Sequence, residues 1–219
     1  MVTNMKIGVI GSGIVGRVLA SAFLKENNEV MLGTRNVDKE EIVKWKNENP
    51  GGQTGNFKEV AEFGDLIVLA TSGTVIEEAI QLAGKENFAG KTVIDATNPI
   101  AAAPPVNGVL QFFTSPNDSL MEKIQAVIPE ANIVKAFNSV GNAMMYKPDY
   151  GGILPTMFIC GNSEAAKATV NGILTAFGWE IEDMGKAEAA RAIEPLCILW
   201  CIPGILHNQW THAFKLLKK

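Results

Sequence analysis

Lys6-Ile7-Gly8-Val9-Ile10-Gly11-Ser12-Gly13-Ile14-Val15-Gly16-Arg17-Val18-Leu19-Ala20 is the stretch that decides the fold. A short apolar run ends in Gly11-x-Gly13-x-x-Gly16, and apolar residues at helical spacing follow at once. Strand, glycine turn and helix in that order read as the opening of a dinucleotide-binding unit, the alternative being a tight structural turn. Gly11 lets the chain turn out of the strand. Gly13 leaves the backbone open to a pyrophosphate, and Gly16 lets the helix lie close to the strand. Ser12, Ile14 and Val15 complete the loop, whose free N–H groups and helix dipole would hold the phosphate charge.

The second strand is expected at Glu29 to Gly33, and the residues after it choose the coenzyme. An NAD site places a carboxylate there for the ribose hydroxyls. This chain has Gly33-Thr34-Arg35-Asn36, with Lys39 close behind. A guanidinium holds a 2′-phosphate by two charge-assisted hydrogen bonds, and a threonine hydroxyl can add a donor. Thr34, Arg35 and Lys39 therefore read as an NADP-selective set, the alternative for Arg35 being a solvated loop position. Asp38 reads as the N-cap of the next helix, Asp38 to Glu48.

Further apolar runs at Asp65 to Ala70 and Thr92 to Ala96 have the pattern of central parallel strands covered on both faces. In such sheets ligands lie beyond the carboxyl ends of strands. Ala70 ends the first run at a coenzyme-facing position, and Thr71 and Ser72 after it either meet the coenzyme or, through Ser72 or Thr74, cap the following helix. Asn98 follows the second run and precedes a proline, which holds its backbone extended. Its amide either points into the cleft or closes its own turn. Ile100 to Pro116 is irregular, a flap over the cleft or a crossover loop. A helix from Asn117 to Ile128 leads to a strand ending in Lys135-Ala136-Phe137-Asn138-Ser139. Ala136, Asn138 and Ser139 are candidates to meet the nicotinamide or a second substrate. A strand at Thr156 to Gly161, a helix at Ser163 to Phe177 and a strand at Glu180 to Met184 follow. Ala187 to Lys219 is expected to be helical with breaks. The division is thus 1–185, a coenzyme-binding domain with an extended sheet, and 186–219, a helical segment packing on the core or on a partner subunit.

Of the 219 residues, 47% are hydrophobic and 19% charged, with a net charge of −4. The chain can bury a substantial core, and without a basic block nucleic acid is not an expected partner. Its three cysteines, Cys160, Cys197 and Cys201, are too few and of the wrong number for a disulfide framework. Cys197 and Cys201 read as buried apolar residues. The start, Met1-Val2-Thr3-Asn4-Met5, runs into the first strand without a leader, and a cytoplasmic setting is expected. The apolar Pro195 to Leu206 is shorter than the roughly 20 residues of a bilayer span, so it reads as a buried or subunit-interface helix.

Taken together, Gly11 to Gly16, Gly33-Thr34-Arg35-Asn36, Asp95-Ala96-Thr97-Asn98-Pro99, Lys135-Ala136-Phe137-Asn138 and Ala190-Arg191-x-x-Glu194-Pro195-Leu196 resemble the coenzyme F-420-dependent NADP oxidoreductase family. The cytoplasmic reductase domain of the Steap metalloreductases is similar too. The resemblance implies an α/β fold, a Rossmann-type doubly wound, mostly parallel sheet with a C-terminal helical hairpin, and a homodimer. It implies NADP as cofactor, with coenzyme F-420 or a flavin as second ligand and hydride transfer between them. Thr34, Arg35 and Lys39 match the family's 2′-phosphate residues. Asn138 stands where archaeal members carry a histidine, which changes the polar contact near the hydride acceptor.

Hydride transfer between two stacked rings asks for position and dryness, not for an acid–base pair. A carbonyl or imine reductase of the β-hydroxyacid dehydrogenase type would need a general acid or base on the helix after the sheet. That type carries a Lys-x-x-Asn helix there, whereas the corresponding helix start here reads Ala189-Ala190-Arg191-Ala192-Ile193-Glu194, and arginine is a poor base because it stays protonated. Lys167 reads as a solvated surface residue, Arg191 and Glu194 as a structural ion pair. His207 and His212, five apart, do not share a helical face and read as surface or packing residues. A non-catalytic NADP sensor is the remaining alternative.

Overall fold

The apolar runs pair into one sheet. The computed structural model describes residues 4–219, and the leaderless reading of Met1 to Thr3 lies outside the described residues. The strands are β1 (Lys6–Ile10), β2 (Glu29–Gly33), β3 (Gly52–Gly55), β4 (Leu66–Leu69), β5 (Thr92–Asp95), β6 (Asn132–Lys135), β7 (Thr156–Gly161) and β8 (Glu180–Asp183). Their order is β3-β2-β1-β4-β5-β6-β7-β8. Every neighbouring pair is parallel except β6 with β7. The chain reverses its winding between β1 and β4, and the loops leaving those two strands part there to form a crevice.

Every residue of β4 is buried, as a strand covered on both faces requires. Helices α1 (Ile14–Lys25), α2 (Glu40–Glu48) and α6 (Glu164–Ala176) close one face, around Phe23, Trp45 and Phe177. Helices α3 (Phe57–Phe63), α4 (Ile76–Ala83), α5 (Leu120–Val127) and α7 (Ala190–Ile193) close the other, around Phe88, Ile124 and Ile193. Burying one such side chain contributes about 1.5–3 kcal/mol before conformational entropy is counted.

Several local expectations are corrected. Helix α2 begins at Glu40, because Asn36 takes the Asp38 N–H at 2.9 Å and holds Asp38 in the preceding turn. Helix α5 begins at Leu120, because Ser119 accepts from the Glu122 N–H and caps it there. Lys167 is not a surface residue: it is 5% exposed, on the inner side of α6, held at 2.8 Å by both Glu164 and Asp183. Ile100 to Pro116 carries a small hairpin, with antiparallel bridges Ile100–Phe112 and Val106–Val109, and its Gly108 lies against Leu206.

The C-terminal helical run spans Ala187–His207, 21 residues, longer than Pro195 to Leu206 because Ala187 to Ile193 coil ahead of it. By length and composition alone it could cross a membrane. Its last part is α8 (Leu196–His207), which stops at Asn208, a left-handed residue with φ +55°. The remainder is not helical. Trp200 Nε1–H donates to the His212 carbonyl at 2.8 Å, and the Phe214 carbonyl accepts from the Thr156 N–H at 2.9 Å, so the tail folds back onto the start of β7.

Candidate functional site

The crevice between β1 and β4 is built on the glycine turn. Gly11 has φ +116°, a backbone that side chains disfavour, and a Cβ there would stand 2.6 Å from the Ala70 carbonyl oxygen. A Cβ on Gly16 would run into the Gly11 carbonyl oxygen. These two glycines are required by the fold itself. Gly13 differs, because a Cβ there meets no atom within 4 Å among the described residues. It stands at the N-cap of α1, whose first turn has no side-chain cap and no acidic residue. The first helical bond runs from Arg17 N–H to the Gly13 carbonyl, which leaves the Ile14, Val15 and Gly16 N–H groups directed outward. An open cradle of amide donors at a helix N-terminus fits a diphosphate.

One arm of the crevice, about 300 Å³, runs from this turn to the end of β2. It is lined by Gly11, Ser12, Arg17, Thr34, Arg35 and Lys39, with Phe57, Val75, Ala79 and Leu82 as an apolar wall. Three cations therefore face this arm against two carboxylates, Glu41 and Glu78. Thr34 does not present a free hydroxyl. It is 3% exposed, accepts from Ser12 Oγ at 3.0 Å and from the Asn36 N–H at 3.2 Å, and donates to the Asn36 carbonyl at 3.1 Å. It fixes the loop that presents Arg35. Sequence reasoning missed Arg17, whose Nη1 holds the Ser12 carbonyl at 2.7 Å. Its place one turn into α1, on the crevice side, was the available signal.

A second arm, also about 300 Å³, runs from Gly13 toward β5. Its wall is Ile14, Val15, Ala70, Thr71, Ser72, Gly73, Ala96, Thr97, Asn98 and Ile100. Ser72 bonds Thr74 hydroxyl to hydroxyl at 2.9 Å and caps no helix with its side chain. Asn98 is in the wall, and its Nδ2 donates to the Asn138 carbonyl at 2.8 Å. The Asn98 Oδ1 is buried with no partner among the described residues, an acceptor suited to an amide N–H of a ligand. No side chain lining this arm, among the described residues, is ionisable.

Ala136 and Asn138 are not in either wall. Ala136 is fully buried, its N–H on the Asp95 carbonyl. Phe137 adopts a left-handed backbone, φ +62°, and the turn sends Asn138 beneath α7, where its Nδ2 donates to the Ile193 carbonyl at 2.9 Å. Ser139 is likewise buried.

Behind the second arm lies a charged cluster that the sequence did not reveal. Lys135 Nζ stands 2.7 Å from Asp95 Oδ2, 2.8 Å from Glu194 Oε1 and 2.9 Å from the Thr97 carbonyl. Asp95 Oδ1 also accepts from Thr97 N–H at 2.9 Å and Thr97 Oγ1 at 2.6 Å. Glu194 accepts from the Leu120 and Met121 N–H groups at 2.9 and 3.0 Å, an anion on the N-terminus of α5. Burial disfavours the Lys135 ammonium, but the two carboxylates outweigh it and hold its pKa above the ordinary lysine value. The expected Arg191–Glu194 pair does not form. Arg191 points outward instead and forks onto Glu122 at 2.6 and 3.0 Å.

The family model described as NADP oxidoreductase, coenzyme F420-dependent, matches residues 6–99. The F420-dependent NADP reductase of Methanocaldococcus jannaschii is 29% identical over 202 residues, 88% of this chain and 89% of its own length. The rat metalloreductase STEAP3 is 29% identical over 215 residues, 92% of this chain but only 39% of STEAP3. A candidate F420-dependent NADP reductase of known structure from Arthrobacter sp. FB24 is 33% identical, with a TM-score of 0.91 over 98% of this chain and 100% of that one. With the glycine cradle in place and the likeness running through both arms to the C-terminal helices, the chain belongs to the coenzyme F420-dependent NADP oxidoreductase family.

Proposed function

We propose that this NADP oxidoreductase transfers hydride between NADP(H) and a deazaflavin or flavin acceptor. The observation that carries the reading is the second arm, open, uncharged and free of ionisable side chains among the described residues. NADP(H) supplies or takes the hydride there, and the wall has only to hold two rings about 3–3.5 Å apart and keep water out. Reduction of a carbonyl or imine would need a proton donor at the same place. Lys135, the nearest ammonium behind this wall, is fully buried and already held by two carboxylates.

In this reading the amides at the start of α1 hold the diphosphate and Arg35 the 2′-phosphate, with Lys39 beside it. The apolar wall of Phe57, Val75 and Leu82 takes the adenine, and Asn98 Oδ1 accepts from the carboxamide. Arg35→Ala should weaken NADPH binding by about 10- to 150-fold, the loss of 1.5–3 kcal/mol for hydrogen bonds to a charged group. NADH binding should be nearly unchanged. Fluorescence titration with both coenzymes measures this, and equal weakening of the two would remove Arg35 from the 2′-phosphate site. Stopped-flow oxidation of NADPH with F-420, FMN and FAD offered in turn tests the acceptor class. No turnover with any of them, in a protein that binds NADPH, would overturn the acceptor reading.

A homodimer is part of the same proposal. Leu199 and Leu206 of α8 are 55% and 51% exposed, beside exposed Val106 and Val109 of the hairpin that touches Leu206. A second copy of this surface would cover an apolar face of that kind. The wild-type chain should sediment as a dimer in analytical ultracentrifugation and Leu199→Glu/Leu206→Glu as a monomer. A monomeric wild type would end this part of the reading.

A further inference from the structure

Two separate threads run from the C-terminal segment to the wall of the second arm. In the first, Glu194 holds Lys135, and Lys135 in turn holds Asp95 and the Thr97 carbonyl. Asp95 then takes both the Thr97 N–H and its hydroxyl, so three of the polar groups of Thr97 are fixed by this cluster. In the second, the Ile193 carbonyl accepts from Asn138 Nδ2, and the Asn138 carbonyl accepts from Asn98 Nδ2. Ile193 and Glu194 are consecutive, and Thr97 and Asn98 are consecutive. The threads thus close a ring between the end of α7 and two adjacent wall residues. The first arm, with its glycine turn, Arg17 and Arg35, has no member in this ring.

The oxygens of Asp95 and Glu194 that meet Lys135 or a backbone N–H all accept, so neither carboxyl needs a proton to satisfy them. The cluster is therefore held by charge at no more than 1% exposure, where rearrangement costs most. Such a set fixes its members tightly, because each alternative rotamer would leave a charge or a donor unpaired in a dry interior.

We infer that Glu194 and Asn138 are positioning residues for hydride transfer, which set Thr97 and Asn98 against the nicotinamide end of the coenzyme and leave the adenosine end untouched. This rests on the NADP(H) reading of the cleft and not on the identity of the acceptor. It also gives the C-terminal segment a part in the site without placing any of its side chains in the wall.

The test uses the full-length chain with Glu194→Gln and, since loss of a buried charge can prevent folding, Asn138→Ala, which leaves Lys135, Asp95 and Glu194 in place. Affinity for 2′,5′-ADP reports the first arm. The emission maximum of bound NADPH and the rate constant for its oxidation report the second. We expect 2′,5′-ADP affinity to stay at the wild-type value in both variants. Bound NADPH emission should shift in both, and the hydride-transfer rate constant should fall by up to about 100-fold in Glu194→Gln, the scale of an ångström-sized misplacement. Wild-type emission in either folded variant would overturn the inference. So would an equal loss of affinity for 2′,5′-ADP and NADPH, which is what general loosening of the fold produces. A wild type that binds NADPH but reduces no deazaflavin or flavin would count against the acceptor reading alone, since the emission comparison still decides this one.

Discussion

Lys135→Met should destabilise the protein by about 3–5 kcal/mol, the usual cost of removing one partner from a buried ion pair. The substitution leaves Asp95 and Glu194, both at most 1% exposed, without the cation between them. Two carboxylates facing each other in a dry site bind protons more tightly than in the unfolded chain. A folded-state pKa raised in this way gives stability that is present at low pH and lost as pH rises. The deficit of Lys135→Met relative to wild type should therefore be smaller at pH 5 than at pH 8. Urea denaturation at the two pH values measures it. Adding Glu194→Gln to Lys135→Met should restore part of the loss, because one of the stranded charges is then gone. A change below about 1 kcal/mol at pH 8, the size expected of an exposed pair, would show that the cluster is not the closed ionic set described.

The second large effect is on the coenzyme and spares the fold. Gly13→Val adds a side chain where, beyond the adjoining residues, no atom among the described residues lies within 4 Å of the new Cβ, on a backbone (φ −63°, ψ 178°) that valine readily adopts. Stability should change by less than about 1 kcal/mol, the range for losing a weak N-cap. NADPH affinity should fall by about 100-fold or more, some 2.8 kcal/mol, because the methyls stand over the amides that face the diphosphate. Gly16→Ala makes the contrast, since its Cβ meets the Gly11 carbonyl oxygen and should lower stability by about 1–3 kcal/mol as well. Calorimetric titration alongside thermal unfolding separates the two. Wild-type NADPH affinity in Gly13→Val would falsify the diphosphate assignment.

Legibility followed the range of the interactions. The glycine turn, the two-faced strands and the tip of β2 are local patterns, so β1, β2 and β5 fall within a residue of where periodicity puts them. Arg35 and Lys39 line the crevice because a strand tip leaves little choice of direction. Asn138 misled because one left-handed residue, Phe137, turns the chain, and no glycine marks it. Lys167 and Lys135 were invisible as buried cations, since their partners Asp183 and Glu194 lie on other elements. The resemblance had already set Asp95, Lys135 and Glu194 in its motifs, yet only the fold shows that these motifs share one ionic cluster.

The position of Glu194 also governs how the chain matures on the ribosome. The α5 amides of Leu120 and Met121 wait for a carboxylate 74 and 73 residues further along. At 5–20 residues per second, about 4–15 s pass between the synthesis of the two ends of that contact. Lys135 is made within that interval and Asp95 before it, so both precede Glu194, the third member of their cluster. The amino-terminal two thirds can collapse early, but they finish only when the last helices emerge. A stop codon before Glu194 would leave a polypeptide with most of its hydrophobic sequence and no stable resting state, a ready substrate for chaperones and proteases.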